Sequence, residues 1–311
     1  MRPTVSIITP SYNQARYLEE TIRSVLEQDY PALEYFVMDG GSNDGSVEII
    51  RRYGDQLTGW VSEKDQGQAD AINKGFRRAT GEIIAWLNSD DAYQPGAIQK
   101  AVESFEKHPE AGLVYGNVLS IDENSQPFNL QTFKPFTLND LMAFNIISQP
   151  AVFMRRSILE KAGLLDPTFH FLLDHHLWLR ILRLAPAVYL PETLAAARYH
   201  AEAKNLARTA DFGAEAFRIV DWMRSAPELA PIFEHNRHRI LAGAHRLDAF
   251  YQLDGGRYPQ SLSAYARAFW YNPPVILREL HRVGYALFAP LGLAGLRAWY
   301  VKIRKRKVSN L

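Results

Sequence analysis

The chain has 311 residues, of which 47% are hydrophobic and 12% aromatic, and this composition excludes a disordered protein. It contains no cysteine, which excludes disulfide frameworks and thiolate metal sites. The apolar run near the N-terminus is too short for a signal peptide and stops at Pro10, so we expect a cytosolic location.

The formal net charge of +1 conceals an uneven distribution along the chain. Seven basic and no acidic side chains follow Glu279, which leaves 28 of the 35 basic residues, with all 34 acidic ones, in the preceding body. The body therefore carries a formal charge of about −6 and the tail about +7. This separation indicates that the tail faces an anionic surface.

The first half of the chain alternates between apolar strands and amphipathic helices. The apolar strand runs are rich in β-branched residues, and the segments between them have apolar residues at helical spacing. This order predicts an α/β fold with a mostly parallel sheet and right-handed crossovers. Strands are predicted at residues 4–9, 33–38, 57–62, 83–87 and 113–120.

The fourth predicted strand ends abruptly in polar residues, which are Asn88, Ser89, Asp90 and Asp91. Ligands of open α/β sheets bind where strands finish, so these side chains and Asp39 are expected at one crevice. Adjacent carboxylates favour a cationic partner, and a divalent metal that carries a diphosphate is one. The alternative is that Asp90 or Asp91 caps the helix that begins near Pro95.

Two common nucleotide-binding motifs are missing from the sequence. The loop after the first strand reads T-P-S-Y-N-Q where a dinucleotide-binding domain needs G-x-G-x-x-G. No G-x-x-x-x-G-K-[ST] occurs either, which speaks against a P-loop NTPase. A nucleotide at this sheet edge must therefore be held in another way.

The chain resembles the family 2 glycosyltransferases of the GT-A fold in four segments, VSIITPSYNQ, VMDGGSNDGS, DQGQADAINKGF and LNSDD. The four segments occur in the order and spacing of the family, and the resemblance covers residues 4–200. It implies a nucleotide-diphosphate-sugar donor and inverting transfer of the sugar to an acceptor hydroxyl.

The resemblance also implies a nucleotide site at the ends of the strands. The first loop would flank the base, Asp39 would accept a hydrogen bond from it, and Asp65 would lie near the base and ribose. For Asp39 the alternative is a turn-forming aspartate before two glycines. The residues implied in nucleotide binding are Thr9, Pro10, Tyr12, Asp39, Asp65, Asn88 and Ser89.

The metal motif of the family, D-x-D, is altered in this chain. Asn88 takes the first position, and its carbonyl can ligate a hard cation but brings no charge. Asp90 matches the metal-binding carboxylate, and His200, in an Arg-x-His pattern, would close the site. The resemblance thus implies a divalent cofactor, Mn²⁺ or Mg²⁺, with a metal-free enzyme as the alternative.

The acceptor side is expected in the second half of the chain. By resemblance Asp174 is the catalytic base, although Leu173 stands where the family often has Glu. One carboxylate must remove the proton of the acceptor hydroxyl during in-line attack. The alternative for Asp174 is a helix N-cap. The remaining residues, expected on the acceptor or diphosphate side, are Asp91, Gln149 (in a strand at 146–153) and Lys204.

After residue 208 the resemblance fades and the sequence predicts helices. We expect a GT-A domain at 1–208, a helical extension at 209–274 and an amphipathic basic segment at 275–311. Residues 284–296 are apolar but too short to span a bilayer. The aromatic and basic residues of the last segment favour an interfacial membrane anchor over a hairpin packed on the body.

These features together predict a cytoplasmic enzyme, peripheral on the inner face of the plasma membrane. The expected partners are a nucleotide-sugar, a glycan or lipid-linked acceptor in cell-surface polysaccharide synthesis and an anionic membrane, but not nucleic acid. Two other functions stay open at this point. They are a nucleotidyltransferase, which would release pyrophosphate, and a nucleotide-sugar-binding protein that lacks catalysis.

Overall fold

The computed structural model describes residues 2–200 and 209–291, which form two compact units. The first unit contains the described residues up to Gln126, together with Leu130–Thr137 and Ile147–Arg198. The second contains Pro127–Asn129, Leu138–Ile146 and the described residues from Tyr199 onward. The three-part division at residues 208 and 274 stays a prediction.

Nine strands lie in the described part of the chain. They are β1 Val5–Ser11, β2 Leu33–Asp39, β3 Gly59–Ser62, β4 Ile83–Trp86, β5 Ala92–Tyr93, β6 Leu113–Asp122, β7 Pro127–Gln131, β8 Val152–Arg155 and β9 Ala187–Tyr199.

Helices separate the strands of the first half and dominate the second unit. They are α1 Ala15–Leu26, α2 Ser46–Tyr53, α3 Gln68–Arg78, α4 Ala97–Lys107, α5 Leu138–Met142, α6 Arg156–Ala162, α7 Leu173–Leu182, α8 Thr209–Ser225, α9 Ala230–Asp254, α10 Tyr258–Tyr271, α11 Pro273–Leu277 and α12 Leu280–Phe288. Short 3₁₀ turns add Gly54–Gln56, Gln149–Ala151 and Ala289–Leu291.

The strands pair in the order β3-β2-β1-β4-β8-β6-β9-β5. The first four are parallel, as expected from the helices that connect them. Beyond β4, the pairs β4 with β8, β8 with β6 and β9 with β5 are antiparallel. The sheet as a whole is therefore mixed. The parallel register of β1, β2 and β3 places Ser11 opposite Asp39 and Asp39 opposite Ser62. Three strand ends therefore meet at one edge.

The core of the first unit lies between the sheet and its helices. β1 and β4 are buried along their whole lengths, which explains their unbroken apolar runs. Helix α3 approaches β1 closely at Gly75, where an added Cβ would lie 2.5 Å from the side chain of Ile8. Trp86 at the end of β4 stacks on Trp178 of α7 with 5.2 Å between ring centroids.

The second unit is mostly helical, which confirms the predicted helical C-terminal region. Phe212 of α8 stacks on Tyr251 of α9 with ring centroids 3.8 Å apart. An added Cβ at Gly243 of α9 would lie 2.1 Å from the carbonyl oxygen of Ala143, so the two backbones are in close contact. Within the described ranges, no helix is both long enough and apolar enough to cross a membrane.

Candidate active site

The loops that follow β1 and β2 are locked together by hydrogen bonds. The amide of Asn13 donates to Ser42 Oγ at 2.8 Å, and the amide of Asn43 donates to Asn13 Oδ1 at 3.0 Å. The side chain of each loop thus satisfies the backbone of the other, although the pairs are about 30 residues apart in sequence. Two adjacent strand ends therefore form one preorganised polar surface.

The same β2 loop also completes the N-terminus of α1, whose first amides have no partner within the helix. The amide of Gln14 donates to Ser46 Oγ at 3.1 Å and that of Ala15 to Asp44 Oδ2 at 2.8 Å. Burial raises the pKa of Asp44, but hydrogen bonds from Ser46 and Ala15 outweigh it, and the net pKa is lowered. Asp44 therefore favours its charged form at this helix end.

Asp39 is buried and receives several hydrogen bonds from the protein itself. The amides of Gly41 and Ser42 donate to Oδ2 at 3.1 and 3.0 Å, and Ser62 Oγ donates to the same oxygen at 2.6 Å. Ser42 Oγ donates to Oδ1 at 2.5 Å. This is the geometry of the turn-forming alternative, and a carboxylate oxygen with one protein donor keeps room for another. Recognition of a base by Asp39 stays a prediction.

The three residues predicted to flank the base differ in their exposure. Thr9 is buried, and its hydroxyl lies 2.9 Å from the hydroxyl of Tyr35 inside the unit. Pro10 is also buried, opposite Met38 in the sheet. Tyr12 is 62% exposed and lies directly after β1. Of the three, Tyr12 presents an aromatic ring to solvent at this edge.

Asp65 lies close to the backbone of the β2 loop. A Cβ at Gly40 would be 2.6 Å from Asp65 Oδ2, so the Asp65 side chain lies against this backbone. The amide of Gly67 donates to Asp65 Oδ1 at 2.8 Å, and Gly67 has a φ of 107° as it starts α3. Asp65 is thus placed beside the strand end that carries Asp39.

The turn after β4 is organised by the amide of Asn88. Gln68 Nε2 donates to Asn88 Oδ1 at 2.7 Å, and Asn88 Nδ2 donates to Gln149 Oε1 at 3.1 Å. Gln149 Nε2 in turn donates to the carbonyl of Trp86 at 2.7 Å. Both ends of the Asn88 amide are therefore engaged by protein. Gln149 lies in a 3₁₀ turn, and not in the strand expected at 146–153, because β8 begins at Val152.

Asp91 turns into the protein. Its side chain is buried, its Oδ1 accepts from the amide of Arg198 at 3.0 Å and its Oδ2 from Asn88 Nδ2 at 3.3 Å. Burial, with the neighbouring charge of Asp90, raises the pKa of Asp91 well above its ordinary value. The adjacent carboxylates are thus separated in environment, with Asp91 inside and Asp90 partly exposed.

Arg198 holds this turn against the rest of the first unit, a role the sequence analysis missed. Its Nε donates to the carbonyl of Asp90 at 2.9 Å, and its Nη2 pairs with Glu20 at 2.7 Å. Its Nη1 donates to Ser125 Oγ at 2.8 Å, and the guanidinium lies 4.7 Å from the ring centre of Tyr17. Arg198 is the first residue of the Arg-x-His pattern that ends in His200.

The structure permits a test of whether a divalent metal fits. In residues 2–200 and 209–291 no group of three or more His, Asp or Glu side chains is arranged to hold a metal ion. Asp90 is partly exposed and offers a hard oxygen, while the Asn88 carbonyl oxygen accepts from Gln68. Ions such as Mg²⁺ are commonly held by one or two carboxylates plus substrate phosphates. The residues therefore fit an ion that is shared with a diphosphate.

Asp174 lies in the first turn of α7 and is partly exposed. The N-cap position is Leu172, so the N-cap alternative for Asp174 is wrong. Asp174 Oδ1 accepts from the amide of His175 at 2.7 Å. Residues four apart share a helix face, so Asp174 lies on the face of Trp178, which stacks on Trp86 at the end of β4.

Arg180 fixes α7 to the end of α6. Its Nη1 donates to the carbonyl of Ala162 at 3.0 Å and its Nη2 to that of Leu164 at 2.8 Å, where helix carbonyls lack partners. Burial lowers the pKa of Arg180 to about 10, although it stays cationic at neutral pH. The position of Asp174 is thus set by the contacts that Trp178 and Arg180 of the same helix make.

The remaining predicted residues are placed as follows. Ser89 is buried next to Asn88. His200 is buried directly after β9 and belongs to the second unit. Lys204 lies outside the described residues. In the first unit the structure brings the ends of β1, β2 and β3 together, and it leaves Tyr12, Asp65, Asp90 and Asp174 at least partly exposed.

Comparison with known proteins identifies the family. The model of Glycosyl transferase family 2 matches residues 6–163, which is about half of the chain. A protein of Rickettsia felis is 32% identical over 215 residues, 64% of this chain and 35% of that protein. A protein of Mycobacterium tuberculosis is 31% identical over 185 residues, 57% of this chain and 68% of that protein. Both are described as uncharacterized glycosyltransferases.

Solved structures show the same fold. TarS residues 1–349 of S. aureus, in complex with UDP-GlcNAc, have a TM-score of 0.61 at 16% identity, covering 84% of this chain and 89% of that chain. The mannosyltransferase PcManGT of Pyrobaculum calidifontis, in complex with GDP-Man and Mn²⁺, has a TM-score of 0.61 at 21% identity, covering 99% and 87%.

The chain belongs to glycosyl transferase family 2, which confirms the predicted family. The predicted GT-A fold is confirmed as well. The chain spans about a third of the length of the first curated relatives that it matches, so their full activity does not transfer directly.

Proposed function

We propose that this protein transfers a sugar from a nucleotide-diphosphate-sugar to an acceptor hydroxyl, with inversion at the anomeric carbon. The observation that carries this proposal is the parallel register that brings Ser11, Asp39 and Ser62 to one sheet edge. Membership of the family supports the reaction class. The polar strand ends supply the binding surface that such a donor needs.

The nucleotide would occupy the surface formed by the locked β1 and β2 loops. Tyr12 is exposed at this surface and offers a ring on which a base can stack. Asp39 and Asp65 supply carboxylate oxygens for base and ribose donors. The donor class agrees with the ligands of two solved structures, since TarS holds UDP-GlcNAc and PcManGT holds GDP-Man.

Asp90 would hold a divalent cation, Mn²⁺ or Mg²⁺, together with the diphosphate. Such an ion supplies positive charge where negative charge develops on the leaving group. The Asn88 amide, fixed by Gln68 and Gln149, keeps the turn in place, and Asp90 is partly exposed there. His200 stays a proposed metal ligand, Lys204 stays a proposed member of the diphosphate side, and Ser89 lines the turn.

Asp174 would remove the proton of the acceptor hydroxyl as that oxygen attacks the anomeric carbon. Its support is its place at the start of α7 and its partial exposure. In this chain Leu173 is buried beside it, so Asp174 is the carboxylate that the α7 start offers.

The basic tail of the sequence supports a membrane setting. A glycan on a lipid carrier, used in cell-surface polysaccharide synthesis, would then be the acceptor. The enzyme would work in the cytoplasm, bound peripherally to the inner face of the plasma membrane through its anionic lipid.

The test is release of UDP, GDP or dTDP from the corresponding nucleotide-diphosphate-sugars, compared between the wild type and Asp174→Asn. CMP-sugars, which would release CMP, are included as a further donor class. We expect one donor class to be used, and the variant to be slower by about 10²- to 10⁴-fold with unchanged nucleotide affinity. Asp55→Asn, at an exposed aspartate of a 3₁₀ turn, is the matched control and should retain full turnover.

Three results would contradict the proposal. Pyrophosphate as the released product would indicate a nucleotidyltransferase. Nucleotide binding without turnover of any donor would indicate a binding protein. Full turnover by Asp174→Asn would remove Asp174 as the base.

A further inference from the structure

Exposed apolar side chains are concentrated in the last three described helices. Nine large hydrophobic side chains are exposed in the described ranges, and six of them lie between residues 269 and 288. Trp270 is 84% exposed. Single exposed apolar residues are ordinary, but such a concentration marks an interaction surface. The six residues, which we call the apolar face, are Phe269, Trp270, Leu277, Leu280, Leu287 and Phe288.

Helix α12 is apolar on two adjoining sides. Val283 packs against the small core of the second unit, and Ala286 is fully buried. Leu280, Leu287 and Phe288, at spacings of seven and eight, share the adjoining side and are exposed. Between them an added Cβ at Gly284 would meet no atom within 4 Å. The outer side of α12 is therefore an open apolar surface.

The three helices pack on one another, so their outward residues belong to one packed group. Ala268 of α10 and Ile276 of α11 lie in the same buried cluster, against which Val283 of α12 packs. The connections are short, with Asn272 alone between α10 and α11. The apolar face is thus carried by a fixed scaffold of helices.

The charges around the apolar face are cationic. Glu279 is the one acidic residue among residues 258–291, and it is buried in ion pairs with Arg282 at 2.6 Å and Arg246 at 3.8 Å. Arg267 and Arg278 are exposed. Residues 292–311, which follow in the sequence, add six basic and no acidic side chains. The exposed Arg and Lys or Asp and Glu side chains of residues 258–290 therefore carry one sign, and the sequence that follows has the same sign.

We propose that the apolar face inserts into the interface of a bilayer that contains anionic phospholipid. Tryptophan and phenylalanine with arginine at their edge form the composition that suits a membrane interface. Two like-charged copies would repel, which disfavours self-association as the use of this surface. The inference rests on the membrane association within the proposed function, and it names the surface that makes the contact.

The experiment measures co-sedimentation of the full chain with vesicles of phosphatidylcholine alone or with added phosphatidylglycerol. We expect binding to the anionic vesicles, weakened by salt as the surface potential is screened. The double variant Trp270→Gln with Phe288→Gln should bind about tenfold or more weakly, because inserted apolar area is lost. Leu184→Gln, at a leucine of the first unit that is 45% exposed, is the matched control and should bind like the wild type.

A second variant separates the charge from the apolar contact. Arg267→Glu with Arg278→Glu should reduce the preference for anionic over neutral vesicles, while both double variants keep the wild-type circular dichroism spectrum. Because all substituted side chains are exposed, we expect these variants to fold.

Three outcomes overturn the inference. The first is no vesicle binding by the wild type, and the second is equal binding by the wild type and the Trp270 and Phe288 double variant. The third is a larger sedimentation coefficient for the wild type than for that variant without vesicles, which would assign the face to a second copy. Donor turnover without vesicles is measured in parallel. If the wild type binds vesicles but does not turn over any donor, the proposed reaction is contradicted and this inference is not.

Discussion

The sheet edge of the first unit and the outer helices of the second unit differ in the groups that they leave without a protein partner. At the sheet edge, the polar groups of Asn13, Asp39 and Asn88 all meet protein partners. On the outer helices, large side chains such as Trp270 and Phe288 face water. The sheet edge is therefore a polar surface with satisfied hydrogen bonds, and the outer helices expose apolar area to water.

This difference indicates two different kinds of ligand. A buried polar group without a partner costs about 1–3 kcal/mol, so a polar site must be built in advance from satisfied bonds. Exposed apolar surface costs about 25 cal/mol per Å², which is recovered when another apolar phase covers it. The first region therefore suits a small polar ligand, and the second suits a broad apolar surface.

Two glycines of the second unit should respond in opposite ways to alanine, because one is packed on backbone and the other is open. Gly243→Ala should lower the free energy of unfolding by about 3 kcal/mol, because its Cβ would meet the backbone at Ala143. Gly284→Ala should raise it by about 0.5–1 kcal/mol, since the position is open and alanine favours helix. Urea unfolding of both variants checks this, and equal effects would refute an open outer side of α12.

The next effect tests whether the polar edge depends on Arg198. Arg198→Met should lower the free energy of unfolding by about 2 kcal/mol, as the Asp90 carbonyl and Ser125 lose their donor while half-exposed Glu20 regains water. Arg23→Met, which breaks an exposed pair with Glu27, should leave the free energy of unfolding nearly unchanged. Similar losses for both variants, measured by urea unfolding, would show that Arg198 does not hold the turn.

The smallest effect concerns Asp44 and depends on pH. Asp44→Asn should cost about 0.5–1 kcal/mol at pH 7, because an exposed cap of α1 is lost. Since the folded pKa is lowered, this stabilisation is present above the unfolded pKa near 4 and disappears as the pH falls through the folded pKa. Thermal unfolding from pH 7 to pH 2.5 should show the two curves converging in acid, and a constant difference would contradict the assignment.

Much of the sheet edge could be predicted from local sequence. An apolar run that ends in polar residues locates a strand end, and this holds for Asp39 and for the turn at Asn88. The direction of Thr9 could not be predicted, because a strand buried on both faces has no polar and apolar sides to compare.

Other features depend on partners that are distant in sequence. The Asn88 amide is bonded by Gln68 and Gln149, which are 20 and 61 residues away, and no local pattern links the three. Arg198 binds groups from separate segments, and its role appears when those segments meet. The outer side of α12 is apolar as a buried helix would be, so the sequence pattern does not reveal its exposure.

The strand ends of the first unit are proposed to bind a nucleotide together with a divalent ion. The direct measurement is the thermal unfolding midpoint with UDP, GDP, dTDP or CMP, each in Mn²⁺ or in EDTA. We predict stabilisation by one base, larger in Mn²⁺ and equal to about 2.7 kcal/mol at a hundredfold excess over Kd. A shift that is unchanged by EDTA would show that nucleotide binding does not need the metal. The absence of a shift with any nucleotide would contradict the nucleotide site itself.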